Sequence, residues 1–399
     1  MRIVHVITRL IVGGAQENTL LTVEGLHHRY HDDVTLITGP AEGPEGDLFG
    51  RAAGLGLPVE VMPELVRPVR PWVDRAAYHR LRAAFRRLKP EVVHTHSSKA
   101  GILGRAAAWR ERVPAIVHTI HGLPFGPFEG PWKNTLYVAL ERWAAGRCHA
   151  IVSVCDAMTT QALAAGVGRP EQFLTVYSGM ETDAFLWPRR PREEVRRELG
   201  LADDEVAFAT VARLFELKGH DDIVAIAPQV LEANPRVRFV WIGDGILRDR
   251  LVAELERLGI RRSFILTGLV PPDRIPELLT AVDAVIHPSL REGLARVLPQ
   301  ALLVGRPVIS YDIDGAREVV LPETGVLLKP RDLDGLRRAI LELAADPALR
   351  AALGREGRQR FADQFRHETM TRQLRSLYER LLEHRNAVSG DRRQLAGPS

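Results

Sequence analysis

The sequence predicts an α/β protein made of two doubly wound domains, each a parallel sheet with helices on both faces. Three observations carry this. Short β-branched runs alternate with amphipathic helical runs, the rhythm of parallel strands joined by crossover helices. That rhythm breaks once, over residues 178–200, and then restarts. Finally, 399 residues exceed one ordinary core but suit two of about 180 each.

Element by element, the first sheet is expected from strands at residues 2–7, 34–37, 58–62, 92–96, 115–119, 150–154 and 174–177. The second is expected at 206–211, 238–242, 264–268, 284–287, 308–310 and 326–328. The break between them holds Trp187-Pro188-Arg189-Arg190-Pro191 and a charged helical run, and reads as a connection. The domains are therefore placed at 1–180 and 181–365. In the last stretch, 366–399, leucine and tyrosine spacing over 365–384 suits an amphipathic helix, and the tail from Asn386, rich in Gly, Ser, Arg and Pro, suits disorder.

Composition bounds the function. Apolar residues at 45% and charged ones at 26% are ordinary for a globular protein, and no run of about 18 apolar residues suggests a membrane span. Met1 leads straight into a strand, so no export signal is read and a cytoplasmic location is expected. Cys148 and Cys155 lack metal-like spacing and are expected as packed thiols. The net charge is only +4, but the positive charge is patchy. Arg67 and Arg70 precede a helix expected over 74–88 that carries Arg75, Arg80, Arg82, Arg86 and Arg87. Beside Phe125, Phe128 and Trp132, this cluster has two readings, a surface for anionic lipid head groups or a solvated arginine face. No nucleic-acid motif accompanies it.

The richest segment runs over residues 288–320. A strand ends at His287, a short polar turn follows, a helix is expected over about 295–304, and Gly305-Arg306-Pro307 returns the chain to the next strand. Ligands of open parallel sheets bind outside the carboxyl ends of strands, so Glu292 and Gly293 stand where a phosphate or sugar would. The Glu292 carboxylate can accept from sugar hydroxyls, while the N–H groups of Gly293 and Leu294 can hold oxygens. Arg213 and Lys218 follow the first strand of the second domain, where a fixed guanidinium and a mobile ammonium suit a pyrophosphate. Gly243 and Gly245 end the next strand and read either as a nucleotide-binding turn or as a plain one. Gly13 and Gly14 open the first helix, with the same two readings.

Other residues leave alternatives open. His94 and His96 share one strand face, but no third ligand with suitable spacing joins them, and no metal is expected. Asp312 and Asp314 resemble a metal-binding acidic pair, but they precede a helix start, where acids favour the positive end of the dipole. His121 leaves a strand at its carboxyl end, where a histidine is ordinarily packed or on the surface.

The Glu292-Gly293 pair after a strand, Arg213, Lys218-Gly219, the Gly13-Gly14 loop and His121-Gly122 together resemble glycosyltransferase family 4. These are retaining enzymes of the GT-B fold. The resemblance covers nearly the whole chain, with its strongest motifs in the second domain. It implies two Rossmann-like domains facing across a cleft, an acceptor-binding first domain, a nucleotide-sugar-binding second domain, and a final helix crossing back to the first. It also implies that Gly13 and Gly14 face the donor diphosphate, that His121 lies by the transferred sugar, and that backbone near Val270 lies against the base. At Gln300 the chain departs from the family pattern, which places there a second acid that grips the ribose. An amide still accepts through its oxygen, without charge-assisted strength.

The implied activity is transfer of a hexose or N-acetylhexosamine from a nucleotide-diphosphate sugar, a UDP-sugar first, to a saccharide or polyprenyl-linked acceptor. No cofactor is required in this scheme. The run 96–101 and the apolar loop 125–132 resemble enzymes of polysaccharide or lipid-linked oligosaccharide synthesis, for which a peripheral site on the inner face of the membrane is expected. A nucleotide-sugar epimerase and an inactive sugar-nucleotide-binding protein are the rivals. A nicotinamide dehydrogenase lacks its glycine fingerprint.

Overall fold

The computed structural model describes residues 1–41 and 46–395. By its contacts the chain divides into two compact units, Met1–Met180 with Arg366–Ser399, and Glu181–Phe365.

The first unit holds β1 (Arg2–Ile7), β2 (Asp33–Thr38), β3 (Val59–Val61), β4 (Val92–His96), β5 (Ala115–Ile120), β6 (Ala150–Ser153) and β7 (Phe173–Thr175). They lie in the order β3-β2-β1-β4-β5-β6-β7, all parallel. The central strands are buried on both faces, so they read as near-continuous apolar runs broken only by His and Thr. Every N-terminal strand expected from the sequence forms.

The second unit holds β8 (Val206–Val211), β9 (Val237–Ile242), β10 (Phe264–Gly268), β11 (Ala284–His287), β12 (Val308–Tyr311) and β13 (Gly325–Leu328). Their order, β10-β9-β8-β11-β12-β13, repeats the pattern of the first six strands. Its core packs Phe208, Phe239, Trp241 and Phe264 against helix residues such as Ile223, Leu251 and Ile340. In each sheet the winding direction reverses once, between β1 and β4 and between β8 and β11. A crevice outside the carboxyl ends of those strands is the general ligand site of such sheets.

The helix His367–Leu395 belongs to the first unit. Met370, Leu374, Leu377 and Tyr378 join that unit's core, and Arg375 Nε donates to buried Asp32 at 3.0 Å. Its backbone stays helical to Leu395, beyond the Asn386 at which the tail was expected to lose order; residues 396–399 lie outside the described residues. No proline interrupts residues 386–395, so composition there does not forbid a helix.

Two other helix bounds differ from expectation. The helix expected over 74–88 begins at Pro71, because proline is preorganised for the first helical position, and the Asp74 carboxylate accepts from Arg70 N at 3.1 Å. The helix expected over about 295–304 spans only Val297–Leu303. Pro299 has no N–H to return to the Ala295 carbonyl, so the first turn cannot reach further back.

Candidate active site

In the second unit the site grows from three strand ends. β8 leads into the loop of Arg213 and Lys218, β9 into Gly243-Asp244-Gly245, and β11 into the turn ending at Glu292. The backbone ties these loops together. Leu290 N and Ser289 Oγ both donate to Leu217 O, at 2.8 and 3.1 Å, and Leu214 N donates to Asp244 O at 3.0 Å. Two glycines are required by this close approach. Gly219 has φ 77° and a Cβ there would meet Pro288 O at 2.1 Å; Gly243 has φ 140° and its Cβ would meet Ala212 O at 2.2 Å.

This scaffold brings Lys218 and Glu292, 74 residues apart in sequence, into contact. Lys218 Nζ donates to Glu292 Oε1 at 2.5 Å, with both side chains about four-fifths shielded from solvent. His287, at the end of β11, places Nε2 3.3 Å from the same oxygen. Burial pushes the Glu292 carboxyl up, but the His287 ring and the Lys218 ammonium outweigh it and bring it down to about 2. Glu292 is therefore a fixed anion held ready against cations. Its own N–H is taken by Asp314 Oδ2 at 2.9 Å, and Gly315 N donates to Gly293 O at 3.1 Å. Asp312 meanwhile pairs with Arg317 through two contacts, at 2.9 and 2.6 Å. The Asp312 and Asp314 carboxylates thus brace protein groups.

The remaining expected residues of this unit cluster less tightly. The Arg213 guanidinium lies over the Phe215 ring, 4.7 Å from its centroid, which fixes its plane. Gly293 is partly exposed, Leu294 is buried, and Gln300 projects partly exposed from the helix Val297–Leu303. Val270 follows β10, beside exposed Leu269. Gly245 N receives support from its neighbour, Asp244 Oδ1, at 2.8 Å.

In the first unit the corresponding strand ends carry imidazoles. His5 of β1, His94 and His96 of β4 and His118 of β5 are buried, and His121 just beyond β5 is partly exposed. His5 Nδ1 lies 3.0 Å from His96 Nε2, and His96 Nδ1 lies 3.0 Å from His121 Nε2. Spacing alone names no third partner for His94 and His96; the fold supplies His5, and ring nitrogens of these three lie within 4.8 Å of one another. Nevertheless, His94 uses both nitrogens, Nδ1 with Tyr378 Oη at 2.5 Å and Nε2 with Thr119 Oγ1 at 2.7 Å. The group is a hydrogen-bonded cluster in which five of the six ring nitrogens face protein partners and His5 Nε2 has none among the described residues.

Gly13 and Gly14 follow β1 and open the helix Gly14–Glu24, but Gly13 has an extended backbone, φ 172°, which any residue adopts. Val12 N donates to Gly46 O at 3.1 Å and Leu48 N to Leu10 O at 3.0 Å, so this loop is held by a neighbouring segment. Within the run 96–101, Lys99 Nζ pairs with Asp74 at 2.5 Å and serves the fold.

Sequence reasoning missed His287 and His5. His5 lies inside β1 and meets His96 only through the register of β1 beside β4, while His287 ends β11 and meets Glu292 through the path of the turn that follows, which no motif spacing marks.

Comparison with known proteins agrees with this geometry. Residues 13–179 match the family described as glycosyl transferase 4-like domain, and residues 191–360 match glycosyl transferases group 1. The UDP-Gal:alpha-D-GlcNAc-diphosphoundecaprenol alpha-1,3-galactosyltransferase of Escherichia coli is 27% identical over 353 residues, covering 88% of this chain and 89% of that one. Among solved structures, Anabaena HepE in complex with UDP-glucose superposes with a TM-score of 0.78 at 21% identity, covering 94% of this chain and 99% of that one. Sucrose-phosphate synthase from Thermosynechococcus elongatus reaches 0.80 at 20% identity, covering 96% and 100%. Two parallel Rossmann-like sheets with this strand order are the GT-B architecture, and the chain belongs to the family-4-like, group 1 glycosyltransferases.

Proposed function

We propose that the protein is a retaining glycosyltransferase that moves a hexose or N-acetylhexosamine from a UDP-sugar to a saccharide or polyprenyl-linked acceptor. Residues 181–365 bind the donor, and the unit built from residues 1–180 and the final helix binds the acceptor. The observation that carries this is the Lys218–Glu292 couple at the carboxyl ends of β8 and β11, with Lys218 on the loop that also carries Arg213. The E. coli relative is named for a UDP-galactose donor and a diphosphoundecaprenol acceptor, and HepE was solved with UDP-glucose.

Each residue then has a task. As the bond from the anomeric carbon to the diphosphate breaks, negative charge grows on the leaving oxygen, and Arg213 and Lys218 stabilise it. The acceptor oxygen bonds to the same face of that carbon, and its proton passes to the leaving phosphate. Glu292 accepts from the hydroxyls of the sugar, and the Gly293 and Leu294 N–H groups hold oxygens. The backbone at Gly243, Gly245 and Val270 borders the nucleotide, Gln300 holds the ribose, and Gly13, Gly14 and His121 serve the reacting sugar. This scheme calls on side-chain and backbone charge and invokes no cofactor.

A membrane surface is the second partner proposed, centred on the helix that carries Trp132 of the expected cluster. On the basic helix Arg80, Arg82, Arg86 and Arg87 pair with Glu64, Glu111, Glu111 and Glu60, and Phe125 is buried. The helix Pro131–Ala145 instead exposes Trp132 (69%), Leu136 (47%) and Trp143 (43%) at spacings that share one face. Lys133 and Arg147 lie over the two tryptophan rings, so aromatic and cationic groups meet as an anionic interface requires. Among the described residues no helix is long and apolar enough to cross a membrane.

Thermal-shift titration with UDP-, GDP- and ADP-sugars tests donor binding, since a ligand of the folded state raises the midpoint by mass action. A shift with UDP-sugars is expected; no shift with any of them overturns the donor assignment. Incubation with the donor alone separates an epimerase, which would convert it, from a transferase. Co-sedimentation with anionic vesicles tests the membrane face, and Trp132→Ala with Trp143→Ala should abolish it.

A further inference from the structure

The first unit has cavities at the opposite end of β5 from His121. β5 and β6 begin there, after Val113-Pro114 and Cys148-His149, and the helix Ser98–Arg110 ends there. A cavity of about 410 Å³ lies among Trp109, Arg110, Arg112, His149 and Arg385, and one of about 770 Å³ shares Trp109, His149 and Arg385 with it. Both have the size of a small-molecule site. No aspartate or glutamate stands among the described residues that line either one. Six residues of strand, roughly 20 Å, separate this end from the loop of His121.

His149 is the most firmly held donor of this site. Its Nδ1 accepts the backbone N–H of Ile116 at 2.9 Å, so that nitrogen is bare and the ring carries its proton on Nε2. Burial, with the Arg385 charge adding to it, lowers the His149 pKa, in keeping with a neutral ring. Among the described residues Nε2 has no hydrogen-bond partner. The Trp109 ring, 48% exposed, stands 6.0 Å away at 36°, so the two planes form an angled wall. The cations exceed what the fold uses. Arg385 gives three of its five N–H donors to the carbonyls of Arg112, Val113 and Pro114, and among the described residues the Arg110 and Arg112 side chains have no hydrogen bond or ion pair. No carboxylate among the described residues pairs with any of the three. The end of the helix Ser98–Arg110 supplies only about half a negative charge against them. A single surface arginine is ordinarily just solvated. Here three border one concave, acid-free surface together with a directed neutral donor.

We infer that this cavity is a second ligand site, which takes a phosphate group. Arg110, Arg112 and Arg385 supply the charge, the His149 Nε2–H supplies a directed hydrogen bond, and Trp109 offers a flat apolar wall to whatever bears the phosphate. Phosphate suits such a set because its several oxygens accept from guanidinium forks and a neutral N–H together. The phosphate is either free, as in pyrophosphate or a nucleotide, or part of a lipid head group, since Trp109 and Arg110 also border a cavity of about 430 Å³ with Trp143 and Arg147 of the proposed membrane face. Binding here ties the end of the last helix, through Arg385, to the starts of β5 and β6. The site stands at the amino ends of its strands and does not depend on the transferase reading.

The test reads His149 itself, by nitrogen–proton NMR on the full chain labelled with 15N-histidine. The resonance lost in His149→Asn assigns it, and that variant keeps an acceptor for the Ile116 N–H. Without ligand, a bare Nδ1 and a protonated Nε2 are expected; a protonated Nδ1 overturns the inference. Inorganic pyrophosphate, added at constant ionic strength, should shift the Nε2 signal saturably. Arg110→Gln combined with Arg385→Gln should raise the midpoint about tenfold or more, the scale for losing charge-assisted hydrogen bonds. If that double variant does not fold, Arg112→Gln, a single change at an exposed residue, decides by a severalfold rise. In a second arm, phosphatidylcholine vesicles with a minority of phosphatidic acid are set against phosphatidylcholine alone. A response to pyrophosphate identifies a free phosphate; a response to the acidic vesicles only identifies a head group. A His149 signal that moves in neither arm, or a midpoint that the arginine variants leave unchanged, overturns the inference. Failure of the transferase reading is visible separately, as a protein that binds phosphate at His149 and transfers no sugar.

Discussion

The two sheets wind in the same order, yet the reversal points they create carry opposite chemistry. Between β8 and β11 the strand ends present fixed charges, with Glu292 drawn down to about 2 by Lys218 and His287 after burial has been overcome. Between β1 and β4 they present imidazoles that burial keeps neutral. The contrast teaches that topology supplies only the place. The charged side can answer a diphosphate, and the neutral side can offer directed hydrogen bonds to hydroxyls without attracting the nucleotide. On the proposed function, this difference in residue type at equivalent positions is what divides donor from acceptor binding.

The comparison breaks most visibly at Glu292. Glu292→Gln should lower the rate of sugar transfer by roughly 10²- to 10³-fold, the scale for losing a preorganised charge at a reacting centre. Its melting temperature should fall, because the amide loses the charge contacts with Lys218 and His287 that hold the Glu292 carboxyl down to about 2, so the rate is measured well below that midpoint. A rate within tenfold of wild type would remove the charged half of the contrast. Lys218→Met should act next, by raising KM for the donor and lowering kcat together, about 10- to 100-fold overall. The remaining effect should depend less on salt, because a cation facing diphosphate is gone.

Acid should separate the two units by stability. His5 falls from the ordinary 6.5 to about 3, and His94, His96 and His118 are lowered also, so the unfolded chain binds protons there that the folded first unit refuses. Stability from these groups is complete above pH 6.5 and declines as pH drops below it. Glu292, lowered from 4.5 to about 2, starts to lose its contribution only below 4.5. The second unit has His220, brought to about 4, as its own lowered imidazole. Hydrogen exchange at pH 5.5 against 7.5, corrected for intrinsic rates, should therefore show greater loss of protection in the strands of the first unit. Equal loss in both would contradict the concentration of lowered imidazoles in the first unit, where His149 is a fifth.

The smallest effect is expected at Gln300. Gln300→Glu restores a charge-assisted acceptor and should tighten UDP by about 3- to 10-fold in calorimetry, with little change in kcat. Weaker binding would show that the ribose is held elsewhere.

Much of this was legible in the sequence because parallel sheets write themselves as repeated apolar runs. Glycines, a proline and an Arg-Leu-Phe-Glu-Leu-Lys loop also mark strand ends by local chemistry. What escaped was tertiary. His5 and His287 are single polar residues of apolar strands; His5 finds His96 through strand register, and His287 finds Glu292 through the path of the turn that follows β11. The Glu292 contact with Lys218 spans 74 residues, and Asp314 reaches the Glu292 N–H across 22, so neither could be read from local pattern. On the basic helix, pattern could not tell paired from unpaired arginines. Its arginines looked available by composition, while Glu60, Glu64 and Glu111 from other elements pair with four of them.

The most direct test of the account follows the anomeric carbon. Purified protein, a UDP-sugar and a polyprenyl-diphosphate-linked N-acetylhexosamine acceptor are incubated, and the linkage in the product is read by proton NMR. The account predicts release of UDP and a product that keeps the donor's anomeric configuration, with the Glu292→Gln variant far slower. An inverted product, or no transfer from any nucleotide sugar by the folded protein, would contradict it.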